Sequence, residues 1–435
     1  MFHPAHLFMP DLVTSLFLFA GGAIAGSLVN WAIYSLGYFQ QRLISPWSTP
    51  DRKAPLRKAL DRVPIYGWIG MRREESIHGR GFWIRPLLIE LALACFAVWF
   101  WQWQHDAGLL GKRIQDLPEW NAQLWFSAHI LLIVLLTIAT FIDFDEKTIP
   151  DWITIPGTVA GLLFAVTAPE FHLPELVGTT AGLEWENIDF ASPHDEVIYQ
   201  WPWDWRGLAA GLATIIIWGI ALLPKICTLR FGIGNGVKLM LASIIRPRRK
   251  TDCKIRIDQR GPFGITWVLG LLALLLCVMT VAVWFVAGRT FPQWNSLLSS
   301  LMGMAMGGGA VWAVRIVASN ALGQEAMGFG DVTLMAMVGT FLGWQASLMV
   351  FALAPFAALL IAAIQFTVTK NRELAFGPYL ALAALVVIIG WSPLWKDNAR
   401  NGFFQMQSLL LGVLAASLVL MALMLFGLRW MRGNE

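Results

Sequence analysis

The chain has 435 residues, of which 57% are hydrophobic and only 14% charged, and its formal net charge is +4. Soluble domains carry about 25% charged residues, so this composition excludes a disordered chain, a nucleic-acid-binding domain and an ordinary cytosolic enzyme. It leaves a polytopic membrane protein, because a lipid-facing surface tolerates so much apolar side chain.

Apolar segments suited to crossing about 30 Å of hydrocarbon recur along the chain. They are 12–36, 84–103, 123–142, 152–168, 207–224, 263–287, 297–318, 332–344, 346–368, 376–392 and 404–428. Backbone in lipid must satisfy its own hydrogen bonds, so each is expected as a helix and the fold as an all-α transmembrane bundle of about eleven spans. The segment 332–344 is short, and is expected to be tilted, re-entrant or lengthened by its neighbours. The first apolar run opens on Asp11 rather than on basic residues, so it reads as a span and not as a cleavable signal.

Charge sets the orientation. The loops 37–83 and 225–262 are rich in Lys and Arg, and 169–206 is acidic, with no Lys or Arg before Arg206. The positive-inside rule makes the first two cytoplasmic and leaves the third outside. Eleven crossings from an outside N-terminus satisfy all three and also place Lys370, Arg372, Arg429 and Arg432 inside. The chain divides accordingly. Residues 1–122 hold the first span, the basic cytoplasmic loop and the second span, and 123–206 a helix pair with the acidic outer loop. Residues 207–296 hold an inserted helix pair, 297–400 a helical core and 401–435 an extra C-terminal span. The four cysteines, Cys95, Cys227, Cys253 and Cys277, form no CxxC pair, so neither a disulfide framework nor a zinc site of usual spacing is expected.

Carboxylates at bilayer depth are costly and mark function. Asp143 follows directly on the apolar run 123–142, ahead of Asp145, Lys147, Pro150 and Asp151. Asp143 lies deepest and is the chemical candidate. Asp145 is expected to be solvated, and Asp151 stands where it could cap the next helix. The second place is Gly328-Phe329-Gly330-Asp331. Its glycines allow close backbone approach, and Asp331 opens an apolar helix, where a helix cap is an equal reading. Both aspartates fall on the cytoplasmic side of the expected topology. Two carboxylates brought close share a proton, which suits peptide hydrolysis: the ionised one deprotonates water and the protonated one polarises the scissile carbonyl.

These residues resemble the type IV prepilin peptidases of the GxGD aspartic protease class. The resemblance rests on Ile142-Asp143 through Pro150-Asp151, on Gly328-Phe329-Gly330-Asp331 and on Gly339-Thr340-Phe341-Leu342-Gly343-Trp344. It extends to Gly26-Ser27-Leu28-Val29-Asn30, Arg62 through Trp68, Arg85-Pro86 with Glu90, and Phe376-Gly377-Pro378-Tyr379. It implies a membrane aspartic endopeptidase of the bacterial inner membrane, with its active site facing the cytoplasm. Such enzymes cleave the leader of type IV prepilins or type II secretion pseudopilins after a glycine, with Asp143 and Asp331 as catalytic pair. Gly328, Gly330, Asp145, Lys147, Asp151, Gly377 and Pro378 are then expected to position the substrate, and the partners are prepilin-like substrates and lipid, not nucleic acid. Many members also methylate the new N-terminus, with S-adenosylmethionine as donor.

The chain departs from the family in three respects. Many members carry two CxxC pairs, thought to hold zinc, where Met71 through Arg80 here has none. Zinc is therefore not expected, and methyl transfer is open. Thr333 stands where Lys is common. The run Gly232-Ile233-Gly234-Asn235 imitates the GxGD motif without its acid, either as a partial duplication or as a Gly-rich loop before a basic surface helix. The Trp-rich stretches 99–103 and 201–205 read as interfacial belts. The competing functions are an ion-coupled transporter, which also uses broken helices and membrane aspartates, and a catalytically silent paralogue.

Overall fold

A computed structural model describes residues 12–37, 53–105, 119–179, 182–192, 204–222, 262–287, 292–322, 327–368 and 376–395, with isolated positions at 44, 46–48, 50 and 109. The expected span 404–428, the Gly232–Asn235 motif, Cys227, Cys253, Lys370, Arg372, Arg429 and Arg432 lie outside the described residues.

The chain is a polytopic helical bundle. Its helices are α1 (Leu12–Leu36), α2 (Tyr66–Met71), α3 (Glu75–His78), α4 (Ile84–His105), α5 (Glu119–Glu146) and α6 (Asp151–Thr167), followed by α7 (Trp205–Ala221), α8 (Pro262–Ala287), α9 (Pro292–Leu322), α10 (Phe329–Val368), α11 (Gly377–Ile389) and α12 (Trp391–Pro393). Among the described residues, six helices are long and apolar enough to cross a membrane, and α6, α7 and α11 are shorter apolar helices. Their lipid-facing sides stay apolar, as with Phe17 and Leu28 of α1 or Phe285 and Val286 of α8.

The segments expected at 332–344 and 346–368 are a single helical run, broken at Gly343. Its φ of 79° and ψ of 175° belong to a backbone region open to glycine alone. The chain folds back on itself there. A Cβ on Gly307 of α9 would touch both Met335 O and Ser347 Cβ. A straight helix would hold those two residues about 18 Å apart at 1.5 Å per residue. The first limb of α10 therefore ends inside the bundle and the second limb returns beside it. Gly303 of α9 and Gly339 of α10 meet backbone to backbone, so that a Cβ on either would overlap the other's carbonyl. Small residues at such a crossing let membrane helices pack closely.

One buried carboxylate organises the first two spans. Glu90 of α4 is 2% exposed and accepts hydrogen bonds from Ser27 Oγ (2.7 Å), Asn30 Nδ2 (3.2 Å) and Trp68 Nε1 (2.8 Å). It also accepts from the backbone N–H of Ile65 (2.5 Å). This last bond holds Ile65 at a φ of 67°, a strained value for a β-branched residue.

The far end of the bundle is closed by an antiparallel hairpin, β1 (Pro174–Thr179) and β2 (Gly182–Asn187), with Thr179 opposite Gly182. The acidic loop 169–206 gave no sequence signal for it. Polar contacts tie the hairpin and the turn after it to the helices. Gln345 Nε2 donates to the carbonyls of Asp189 (2.7 Å) and Ser192 (3.0 Å), Asn295 Nδ2 to Asp189 Oδ2 (2.7 Å), and Trp391 Nε1 to Pro174 O (2.7 Å).

Beneath the hairpin, His172 bridges Ser296 (3.2 Å) and Ser300 (3.1 Å). Ser300 Oγ donates to Thr340 O (2.8 Å), which assigns the imidazole proton to Nε2 and leaves Nδ1 to accept from Ser296. Burial, with the neighbouring His129 adding to it, pushes the His172 imidazole down to about 3. Below an unfolded value of about 6.5 the unfolded chain binds a proton that the folded chain refuses, so this group's contribution to stability is full near neutrality and falls between about 6.5 and 3. In detergent, the melting temperature of the wild type should therefore exceed that of His172→Gln most at neutral pH. The margin should narrow steadily through that window, and a margin independent of pH would refute the neutral bridge.

Candidate active site

Three segments converge at the end of the bundle opposite the hairpin. Helix α5 runs through Asp143 to Glu146. The Lys147 N–H then closes on Asp143 O (2.9 Å) with a left-handed φ of 57°, and the chain turns through Ile149 and Pro150 into α6. Helix α10 opens at Phe329 and α11 at Gly377. Asp143 and Asp331, 4% and 7% exposed, come from the last turn of α5 and the first turn of α10.

Ile149 is the common contact. A Cβ on Gly330 would lie 2.8 Å from Ile149 Cβ, and a Cβ on Gly377 would lie 2.8 Å from both Ile149 Cδ1 and Asp143 Oδ2. Two bare glycines thus let the starts of α10 and α11 press on the turn between α5 and α6. The Gly377 N–H donates to Asp143 Oδ2 (3.0 Å). The Gly328 backbone passes beside the other carboxylate, where a Cβ would stand 3.7 Å from Asp331 Oδ2. Gly330, next to Asp331, and Gly377, bonded to Asp143, both meet Ile149, which brings the two aspartates to one end of the bundle. Gly377→Ala should push the Asp143 carboxyl aside. A misplacement of about 1 Å costs about 10²-fold in rate, so any hydrolysis that uses Asp143 should fall by that order while the melting temperature changes little. A wild-type rate would show that Asp143 needs no such fit.

The remaining expected residues sort differently. Pro378 is buried in the first turn of α11. Lys147 is exposed, with its charge in reach of Asp143. Asp145 is paired rather than simply solvated: Arg85 of α4 grips it through two parallel bonds of 2.9 Å and lies 4.8 Å over the Phe141 ring. Asp151 does not cap α6, because Pro150 occupies the cap position and Asp151 is the first helical residue, exposed. Asp331 is not a helix cap either, since it stands two residues inside α10.

Sequence reasoning passed over Ile149 and Arg315. No residue-level signal marks Ile149. Arg315 had one, as a charge inside the apolar run 297–318. Its Nε donates to Met327 O (2.9 Å) and its guanidinium lies 5.6 Å over the Phe329 ring, fastening the turn that leads into Asp331.

The model of the type IV leader peptidase family matches residues 130–184 and 265–363, and the two stretches contain Asp143 and Asp331. By sequence the chain is related to the type IV leader peptidases. The prepilin leader peptidase/N-methyltransferase of Pseudomonas aeruginosa is 28% identical over 194 residues, which cover 36% of this chain and 65% of that protein. The protein of the same description from Aeromonas hydrophila is 32% identical over 157 residues, covering 31% and 52%. That of Stutzerimonas stutzeri is 30% identical over 120 residues, covering 27% and 40%. The chain therefore spans less than two thirds of the length of these relatives. No solved structure matches it. The leader peptidase match leaves out residues 185–264, which include α7.

Among the described residues no group of three His, Cys, Asp or Glu stands where it could hold a metal ion. The described acids of the first loop, Asp61, Glu74 and Glu75, are already engaged. Arg57 pairs with Glu74 (3.3 Å), which His78 also meets (3.2 Å), Arg73 pairs with Asp61, and Trp83 Nε1 donates to Glu75 (2.6 Å). Ion pairs and hydrogen bonds cross-link this loop.

Proposed function

We propose that the chain is a membrane aspartic endopeptidase that removes the leader of type IV prepilin-like or pseudopilin substrates. The observation that carries this reading is the convergence of Asp143 and Asp331, both buried, around Ile149 within the two stretches that match the leader peptidases. Two carboxylates this close resist ionising together, so one proton serves the pair. The ionised member takes a proton from water, whose oxygen attacks the scissile carbonyl carbon. The protonated member gives its proton to the carbonyl oxygen, and the amine departs with the proton taken from water. Hydrolysis of this kind needs no cofactor.

The substrate is a short basic leader ending in glycine and followed by an apolar helix. The basic loops support a reading in which the aspartate end faces the cytoplasm from a bacterial inner membrane, and they favour anionic headgroups there. Gly328, Gly330, Gly377 and Pro378 shape the cleft, and Asp145, Lys147 and Asp151 line its approach. Methylation of the new N-terminus from S-adenosylmethionine is the second part of the proposal.

The test is a cleavage assay on the purified protein in detergent, with a full-length prepilin, with and without S-adenosylmethionine, read by product mass. One cut after the leader glycine is expected, and a product heavier by one methyl group only in the presence of the donor. A prepilin left intact by folded protein would overturn the peptidase reading. An unchanged product mass would overturn the methylation.

A further inference from the structure

Tyr379 is the third residue of α11, two positions after the N–H that binds Asp143. It is 1% exposed. Its ring stands edge-on to Phe376, with centroids 6.1 Å apart and planes at 89°. Its hydroxyl is shut off from solvent and has no hydrogen-bond partner among the described residues. A buried polar group left unpaired costs about 1–3 kcal/mol, so natural proteins keep few of them, and those few call for an explanation. This one lies close enough to Asp143 to feel its charge. A phenylalanine would fill the same space and sit against Phe376 in the same way. The oxygen is thus the one part of the side chain without a bonding use among the described residues, on the first turn of the helix whose leading N–H binds Asp143.

We infer that the Tyr379 hydroxyl is a third catalytic group, donating a hydrogen bond to the scissile carbonyl oxygen of the substrate as that oxygen gains negative charge. The inference rests on the peptidase reading. Substrate then supplies the partner that the free protein lacks. In the hydrolysis step the water oxygen bonds to the carbonyl carbon and the C–O double bond opens towards oxygen. Tyr379 keeps its own proton throughout and shares it through a hydrogen bond, while one aspartate takes the proton from water and the other protonates the new oxyanion. A donor already fixed in a water-free site stabilises developing charge without reorganisation, and loss of one such donor typically lowers turnover by about 10²–10³-fold.

The test is Tyr379→Phe, with wild type and Asp331→Asn assayed beside it on the same purified prepilin. Turnover should fall about 10²-fold with KM nearly unchanged. The melting temperature should hold or rise, since only an unpaired oxygen is removed. The pH dependence of the residual activity should keep its wild-type limbs, because a donor to substrate leaves the titration of the aspartates alone. A wild-type turnover would overturn the inference. So would a lowered melting temperature matching the loss of activity, which would mean a structural hydroxyl. A shifted limb of the pH profile would also overturn it, because the hydroxyl would then act on Asp143 instead. In each of these cases cleavage by wild type and none by Asp331→Asn leave the peptidase reading standing. If wild type itself does not cleave, that reading fails and the role of Tyr379 fails with it.

Discussion

If the proposed peptidase function holds, Asp143→Asn and Asp331→Asn should each reduce prepilin cleavage by at least about 10³-fold, with the double variant no worse than either alone. Positioned acid–base groups contribute about 10²–10⁴-fold, and residues acting as one unit are not additive. Asn removes the charge and the labile proton while keeping the shape. At position 143 its carbonyl can still accept the Gly377 N–H that now binds Asp143 Oδ2, so α11 stays seated and the melting temperature should be close to that of the wild type. Initial cleavage rates and thermal melts on the same detergent preparation decide the matter. If one of the two single variants cleaves normally, the pair does not work as a dyad. If both unfold, the acids are structural.

The second large effect concerns the scaffold beneath Asp331. Gly303→Ala or Gly339→Ala should destabilise the protein by roughly 3 kcal/mol, the upper part of the range for overpacked cores. The added methyl meets backbone rather than a movable side chain: the Gly339 carbonyl in the first case and the Gly303 carbonyl in the second. α9 and the first limb of α10 must then part, and the aspartate carried by that limb moves with them, so activity falls together with the melting temperature. Gly309→Ala on α9 is the control, because nothing lies within 4 Å of a Cβ there. It should be neutral or slightly stabilising, as Ala is the better helix former by about 1 kcal/mol. Equal effects at positions 303 and 309 would refute the close crossing.

The helices were legible in the sequence because lipid demands long apolar runs with internal hydrogen bonds, and the expected segments among the described residues fall within a few residues of the observed helices, with 332–344 and 346–368 merged into one run. The two aspartates were legible because acids at the ends of such runs are rare. Other features depend on distant partners. Ile149 is one more aliphatic residue until Gly330 and Gly377 arrive from 181 and 228 positions away. Asp145 looked solvated because Arg85 stands 60 residues earlier. The hairpin 174–187 had no alternating pattern to announce it, as its acidic strand residues include Glu175, buried and bonded to Ser192 and Trp395. Arg315 was readable in principle, since a cation within an apolar run needs a reason to be there.

The reversal at Gly343 sets how the protein senses the bilayer around it. Asp331 rides on a limb whose far end is held by protein, through the Gly303–Gly339 crossing and the Gln345 bonds to the turn after the hairpin. A thicker or thinner membrane must first tilt the long outer helices, at fractions of a kcal/mol per Å of mismatch. The inner limb keeps its seat against α9 through that adjustment. The carboxylates accordingly keep their place within the bundle and do not follow the surrounding lipid.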